Sequence, residues 1–296
     1  MALRMFLASP LFPGSLRRWK DGRFIVKIIT IVENTTKDAA LKPKHGLCIY
    51  IKTLKHKVLF DLGPDDTYLY NAQKLGIDLA EIDAVVLSHG HKDHGGGLAS
   101  FLKVNNKAKI FLHRQAFEPY YIKIWFAKIF IGLNKDLAGN ERFVLVDDTM
   151  RIDDNLFLFA DVDGHFDTKS NRVMLKKTPD GFTRDDFAHE LNLIVTTEGQ
   201  EALFSGCSHR GIANILNTAH KYRPAIHAVF GGFHLYNPAT KATEPAEVAQ
   251  RLAKELSARE AVFYTGHCTG TKAFKIMRGL MGGQLQYLST GSMIEL

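Results

Sequence analysis

The apolar positions of the chain fall into short runs separated by turn residues, and most runs have the length and composition of strands. Residues 24–32, FIVKIITIV, are β-branched and apolar, and strand-like runs follow at 46–53 and 57–62. Others occupy 84–88, 109–113, 156–160 and 191–197, with Gly199 turning the chain into 202–205, and two more lie at 226–230 and 261–265. Helical spacing occurs in three places: Leu98, Phe101 and Leu102; Ile212, Ile215, Leu216 and Ala219; and Val248, Leu252 and Leu256, the last introduced by Thr243 and Pro245. Strands with crossover helices in both halves predict an α/β protein, an αββα sandwich of two mixed β-sheets with flanking helices.

Two regions stand outside this pattern. Residues 1–23 hold Pro10, Pro13, Gly14 and a basic cluster without periodicity, so they are expected to form an irregular N-terminal extension ahead of one domain at 24–296. Residues 117–143 are crowded with Tyr120, Tyr121, Trp125, Phe126 and Phe130 but lack strand alternation. They read either as a core helix, because an aromatic stripe usually faces a core, or as a lid or pocket wall over a site.

A 46% hydrophobic fraction in 296 residues supplies a sizeable core, and a 23% charged fraction excludes a disordered chain. The net charge of +7 favours anionic partners. Its cations are dispersed, and the clusters at 17–20 and 52–57 lack the interleaved aromatics of a nucleic-acid platform, so the expected partner is an anionic small molecule and not nucleic acid. No apolar run reaches the roughly 18 to 20 residues that cross a bilayer, and residues 1–10 are too short in apolar core for a signal peptide. Cys48, Cys207 and Cys268 form neither an even set nor a C-x-x-C pair, which suits a reducing compartment. No membrane association and a cytoplasmic location are therefore expected.

The chemistry concentrates in six residues, His89-Gly90-His91-Lys92-Asp93-His94. Three imidazoles and a carboxylate are good ligands for a borderline metal. At a strand end, residues two apart project to one side, so His89 and His91 can grip one ion, while Asp93 and His94, where a helix begins, can point to a second. Gly90 and the run 95–97 allow the tight path such a loop needs.

These six residues match the H-x-H-x-D-H motif of the metallo-β-lactamase superfamily letter for letter, and the chain resembles that superfamily over nearly its whole length from Phe24. The resemblance implies the αββα fold and two divalent metals, commonly zinc, with manganese or iron as alternatives. It also implies that Asp61, in Leu59-Phe60-Asp61-Leu62-Gly63, steadies the metal loop through hydrogen bonds, and that His267, in Gly266-His267-Cys268, ligates the second metal. At the bridging position the superfamily commonly has aspartate within L-F-T-G-D, whereas here the text is Leu203-Phe204-Ser205-Gly206-Cys207. Cys207 as thiolate or His209 two residues on could take that role, and the two do not exclude each other. The third ligand of the first metal is expected at His189 from its distance to the bridging position, with His165, in Asp163-Gly164-His165, as the alternative.

The texts Val32-Glu33-Asn34-Thr35, Gly206-Cys207-Ser208-His209, Gly231-Gly232-Phe233-His234-Leu235 and Gly266-His267-Cys268-Thr269-Gly270 are similar to one branch, related to dihydropterin ribofuranosylaminobenzene phosphate synthase. A dinuclear centre implies hydrolysis of an ester, lactone or phosphoester. Asp93 is the expected proton acceptor, and His209 or His234 would polarise the substrate. The branch name implies an alternative, a metal-assisted transferase joining a pterin to an arylamine ribose phosphate.

Overall fold

A computed structural model describes residues 26–197 and 199–296. The extension expected at 1–23 lies outside the described residues. Two seven-stranded sheets face each other. The first runs in the spatial order Met293–Glu295, Lys27–Val32, Cys48–Lys52, Lys57–Phe60, Ala84–Val86, Lys109–His113, Phe143–Val146. The second runs Leu285–Tyr287, Val262–Thr265, Ala228–Gly231, Gln200–Phe204, Asn192–Thr197, Leu156–Phe159, Thr149–Arg151. Each is mixed: the first is parallel from Lys57–Phe60 to its Phe143–Val146 edge, the second from Gln200–Phe204 to its Leu285–Tyr287 edge.

Burial explains the layers. Ile28, Ile49, Phe60 and Val86 of the first sheet meet Leu158, Leu193, Phe204 and Phe230 of the second in one continuous core. The outer face of the first sheet lies under the helices Thr67–Lys74 and Leu98–Val104 through Tyr68, Ala72, Leu98 and Phe101. That of the second lies under Ile212–Tyr222, Ala246–Ser257 and Thr271–Met281. Helix, sheet, sheet, helix is the αββα sandwich, each sheet burying both faces as central parallel strands require. Among the described residues no helix is long and apolar enough to cross a membrane.

One element differs in kind from expectation. The aromatic segment contains no α-helix: Tyr120–Ile124 and Ala127–Phe130 form a hairpin that joins Met174–Thr178 and Gly181–Arg184 in a separate four-stranded sheet. Its alternation is real but masked. Tyr120 and Ile122 are buried while Tyr121 and Lys123 turn away, so both faces carry aromatic or aliphatic groups and the period of two is hidden from a hydrophobicity pattern.

Parallel strands in both sheets point their C-terminal ends to the same edge of the sandwich. Asp61 follows Phe60, the metal loop follows Val86, Cys207 follows Phe204, His234 follows Gly231, and His267 follows Thr265. A crevice beyond the carboxyl ends of parallel strands is where α/β folds collect their functional groups. Two glycines permit the close approach there. A Cβ on Gly90 would sit 2.2 Å from the Ala116 carbonyl oxygen, and one on Gly206 would sit 2.1 Å from Ser88 Oγ.

Candidate metal centre

Asp61 organises the first half of the site. It is fully buried, and its backbone has φ of 62°, a left-handed conformation that a non-glycine residue holds only at a cost. Its Oδ1 accepts from the Ser88 backbone N–H at 2.7 Å, and its Oδ2 accepts from Ser88 Oγ at 2.7 Å and from His94 Nδ1 at 2.6 Å. With its own proton given to Asp61, Ser88 Oγ accepts from His89 Nδ1 at 2.8 Å. One carboxylate therefore fixes the tautomer of two rings, directly for His94 and through Ser88 for His89, and leaves both Nε2 lone pairs facing inward.

On one side, His89 Nε2, His91 Nε2 and His209 Nε2 are buried without a hydrogen-bond partner among the described residues. The His209 ring lies 5.0 Å from that of His89 and 5.1 Å from that of His91. Asn171 sets the His209 tautomer: its Oδ1 accepts from His209 Nδ1 at 3.0 Å while its Nδ2 donates to the His209 carbonyl at 2.8 Å. Glu190, itself buried, accepts from the backbone N–H groups of His209 and Arg210 and holds the loop. Burial and the neighbouring imidazoles push His89 and His209 well below the usual histidine range, so both rings stay neutral.

On the other side, Asp93, His94, Cys207 and His267 bring one ligand atom each within 4.8 Å of the others. His267 Nδ1 donates to Asn34 Oδ1 at 3.1 Å, and its backbone N–H donates to the buried Glu33 at 2.6 Å. Its Nε2 consequently points at His94 Nε2, 3.1 Å away, and at Asp93 Oδ2, 3.4 Å away. Two acceptor nitrogens at that distance repel unless a proton or a cation lies between them. Burial acts to lower the His94 pKa, but Asp61 and Asp93 outweigh it and raise it to about 9, a measure of the negative field there. Cys207 Sγ lies 3.2 Å from His94 Nε2 and also belongs to the group of His89 and His209. Cys207 and His209 are thus not rivals for one position: the sulfur lies between the two groups, and the imidazole faces His89 and His91.

His189 is held at both ring nitrogens. Its Nδ1 accepts from the Gly90 N–H at 2.9 Å, its Nε2 donates to Asp185 Oδ2 at 3.1 Å, and its ring stacks on Tyr120 with centroids 3.9 Å apart. His189 thus braces the metal loop, and with His91 and Asp185 it forms a further group whose ligand atoms lie within 4.8 Å of one another. Burial acts to raise the Asp185 pKa, yet His189 and His91 hold that carboxyl well below its usual range. The alternative, His165, is exposed on the rim of a cavity of about 400 Å³ whose inner wall includes Asp185, Phe187 and His209 and whose outer wall includes Arg172, Arg184 and Arg210. His234 has φ of 47°, both ring nitrogens buried without a partner among the described residues, and its ring 4.1 Å from that of His209.

Several contributors escaped the sequence reading. His45 Nε2 lies 3.3 Å from Asp93 Oδ2, and its ring lies 4.7 Å from that of His267. Cys268 joins Cys207 and His234 in a further thiol–imidazole group. Glu33 and Asn34 stand within a quoted motif, but only the fold discloses that they orient His267.

The donor set fits divalent metal. Imidazole, carboxylate and thiol together suit a borderline cation such as zinc, and three buried, partnerless Nε2 atoms are the groups such an ion would satisfy.

The sequence model of the metallo-beta-lactamase superfamily matches residues 41–267. The chain is 29% identical to the 7,8-dihydropterin-6-methyl-4-(beta-D-ribofuranosyl)-aminobenzene-5'-phosphate synthase of Methanocaldococcus jannaschii, over 91% of this chain and 96% of that protein. Tm1679, described as a metal-dependent hydrolase of the beta-lactamase superfamily, superposes with a TM-score of 0.76 at 26% identity, covering 92% of this chain and 99% of its own. Zinc-bound PqqB from Methylobacterium extorquens, at 11% identity and a TM-score of 0.57, shares the fold over 91% of this chain and 100% of its own.

Replacing Asp61 with Asn removes an acceptor that both His94 and Ser88 use. Metal affinity, measured by competition with a chelating dye, is expected to drop roughly 10- to 100-fold; unchanged affinity would refute the bracing role. In chelator-treated protein the histidines set opposite limits. His89 and His209 are held neutral by the fold, so stability declines as pH drops below about 6.5, where the unfolded histidines take up protons. His94 has a raised pKa, so its contribution is complete below about 6.5 and is lost as pH rises through about 9. The melting temperature should peak near neutrality, and a flat profile from pH 5 to 9 would contradict this.

Proposed function

The chain belongs to the metallo-beta-lactamase superfamily, and we propose that it is a metal-dependent hydrolase with a dinuclear zinc centre acting on an anionic ester, lactone or phosphoester. The observation that carries this reading is the pair of facing ligand groups, His89, His91 and His209 on one side and Asp93, His94 and His267 on the other, with Cys207 between them.

When bound, two such cations supply Lewis acidity that lowers the pKa of water toward neutrality and offsets negative charge developing on a substrate oxygen. The chain's residues do the rest. Asp61, Asn171, Asn34 and Glu33 hold the ligating rings in one tautomer and orientation, so no reorganisation is required as charge develops. Burial pushes the Cys207 thiol up, and a neighbouring dication is what would turn it into a thiolate ligand. Asp93, the most exposed of the proposed ligands, can accept the proton released by water at Oδ2. His234 is the candidate to pass a proton to the leaving group, because neither of its nitrogens is committed elsewhere among the described residues. The adjoining cavity carries both signs, Arg172, Arg184 and Arg210 beside Asp167, Asp185 and Asp186, so the preference for a negatively charged substrate rests on the net charge of +7.

The likeness to the archaeal synthase supports a second reading, a transferase in which the same metals orient a pterin and an arylamine for bond formation. Product analysis separates the two. Metal-loaded protein is expected to cleave activated esters or phosphodiesters; condensation of pterin and arylamine with no detectable hydrolysis would replace the hydrolase reading with the synthase one.

Two substitutions divide the roles. His89→Ala should lower bound zinc below two equivalents per chain by elemental analysis. His234→Ala should keep both equivalents yet lower kcat by about 10²-fold or more, the usual scale of general acid–base catalysis. If His234→Ala instead loses metal, it is a ligand and the proton-transfer role is wrong.

A further inference from the structure

The hairpin that replaced the expected helix displays a surface unlike the rest of the molecule. Ten large hydrophobic side chains are exposed among the described residues, and five of them, Trp125, Phe126, Ile129, Phe130 and Phe182, belong to this one small sheet or its turn. Phe130 and Phe182 share one face with Tyr121, Ile129 lies on the other beside Ile122, and such a concentration of exposed apolar groups marks an interaction site. The same sheet, with its turns, carries Lys123, Lys128, Lys176, Lys177 and Arg184 against a single acid, Asp180.

Its outward face interleaves the two chemistries. Tyr121 pairs with Phe130 and Lys123 pairs with Lys128 directly across the ladder, while Lys128 Nζ lies 4.7 Å from the centroid of the Phe182 ring. Like charges placed opposite one another destabilise a hairpin unless an anion joins them. The lysines that do form ion pairs, Lys44, Lys57, Lys107 and Lys221, lie elsewhere. Beyond the last ladder pair, Ile124 with Ala127, the turn projects Trp125 and Phe126, 84% and 90% exposed.

We propose that this sheet docks the protein on an anionic lipid bilayer, with Trp125 and Phe126 entering the interface and Lys123 and Lys128, one rung behind, reaching the headgroup phosphates. Aromatic rings favour the boundary between headgroups and acyl chains, and lysine stems lie along apolar surface while their ammonium groups reach anionic lipid. A second copy of the chain fits less well, because a two-fold contact would set this cationic face against itself. A single nucleic-acid strand also fits less well. It needs a track of open rings for successive bases, whereas Tyr121 is packed edge-on against Phe130 and Phe182, with centroids 5.4 and 5.0 Å apart, and the open rings Trp125 and Phe126 are confined to the turn. The docking is peripheral, it replaces the expectation of no membrane association drawn from the lack of a spanning segment, and it is independent of the reaction proposed above. It would bring the site close to the lipid surface, because the hairpin's root is tied to the metal loop: the Ile131 carbonyl accepts from the Lys92 N–H at 2.7 Å, and Tyr120 stacks on His189.

The test is sedimentation of the full-length, metal-loaded protein with vesicles of phosphatidylcholine alone or mixed in equal parts with phosphatidylglycerol. Binding is expected to the mixed vesicles, to weaken with added salt, and to drop on the order of tenfold or more in both W125S/F126S and K123Q/K128Q. Circular dichroism and metal content serve as controls that both variants are folded. Failure of the wild-type protein to bind anionic vesicles, or binding by either variant equal to that of the wild type, overturns the proposal. Retention on a single-stranded oligonucleotide without vesicle binding would make the face a nucleic-acid platform, and a dimer abolished by W125S/F126S without vesicle binding would make it a self-contact; either result also overturns it.

Discussion

The carboxylate of Asp61 is the constraint on which the candidate site depends. An imidazole has two nitrogens, and a metal loop works only if the correct one faces inward with its lone pair free. By accepting from His94 and from the hydroxyl that accepts from His89, Asp61 decides that for two rings at once. The same solution recurs with other partners: Asn171 for His209 and Asn34 for His267. The candidate ligating face is thus built from outside, by groups that hold the rings and not the metal proposed for them.

Backbone strain is concentrated at the same edge. Of the seven non-glycine residues with positive φ among the described residues, Asp61, Ser208, His234 and His267 stand at or beside the site, each just past a parallel strand. A left-handed turn there reverses the chain sharply enough to aim a side chain back over the strand ends. Such conformations persist only where the surroundings over-determine them, and here the core between the sheets and the carboxylates Glu33 and Glu190 supply that support.

What could be read from sequence follows the distance over which each signal acts. The metal loop was legible because its four ligands are contiguous, and the sandwich was legible because most central strands are short apolar runs. Spacing reported where His189 falls, beside His91 and Asp185, but not its bond to the Gly90 N–H, which is a tertiary contact. His45, Asn171 and Glu190 were silent for the same reason: each acts on a partner far along the chain. The helices Thr67–Lys74 and Thr271–Met281 were missed because polar residues crowd their few buried positions, Tyr68 and Ala72 in one and Ala273, Met277 and Met281 in the other. The hairpin's paired lysines looked dispersed along the chain and become a cluster only when its strands fold together.

The ligands proposed for the two ions come from both halves of the sandwich: the loop at 89–94, braced by Asp61, extends from one sheet, Cys207, His209 and His267 from the other. A cation shared across that seam would act as a rivet, adding to the hydrogen bonds that already cross it, linking Glu33 and Asn34 to His267 and Gly90 to His189. Its binding free energy is then added to the cohesion of the whole sandwich, growing with the logarithm of free metal concentration. On the proposed reading, metal supply therefore sets the equilibrium stability of the folded molecule as well as what chemistry it can perform.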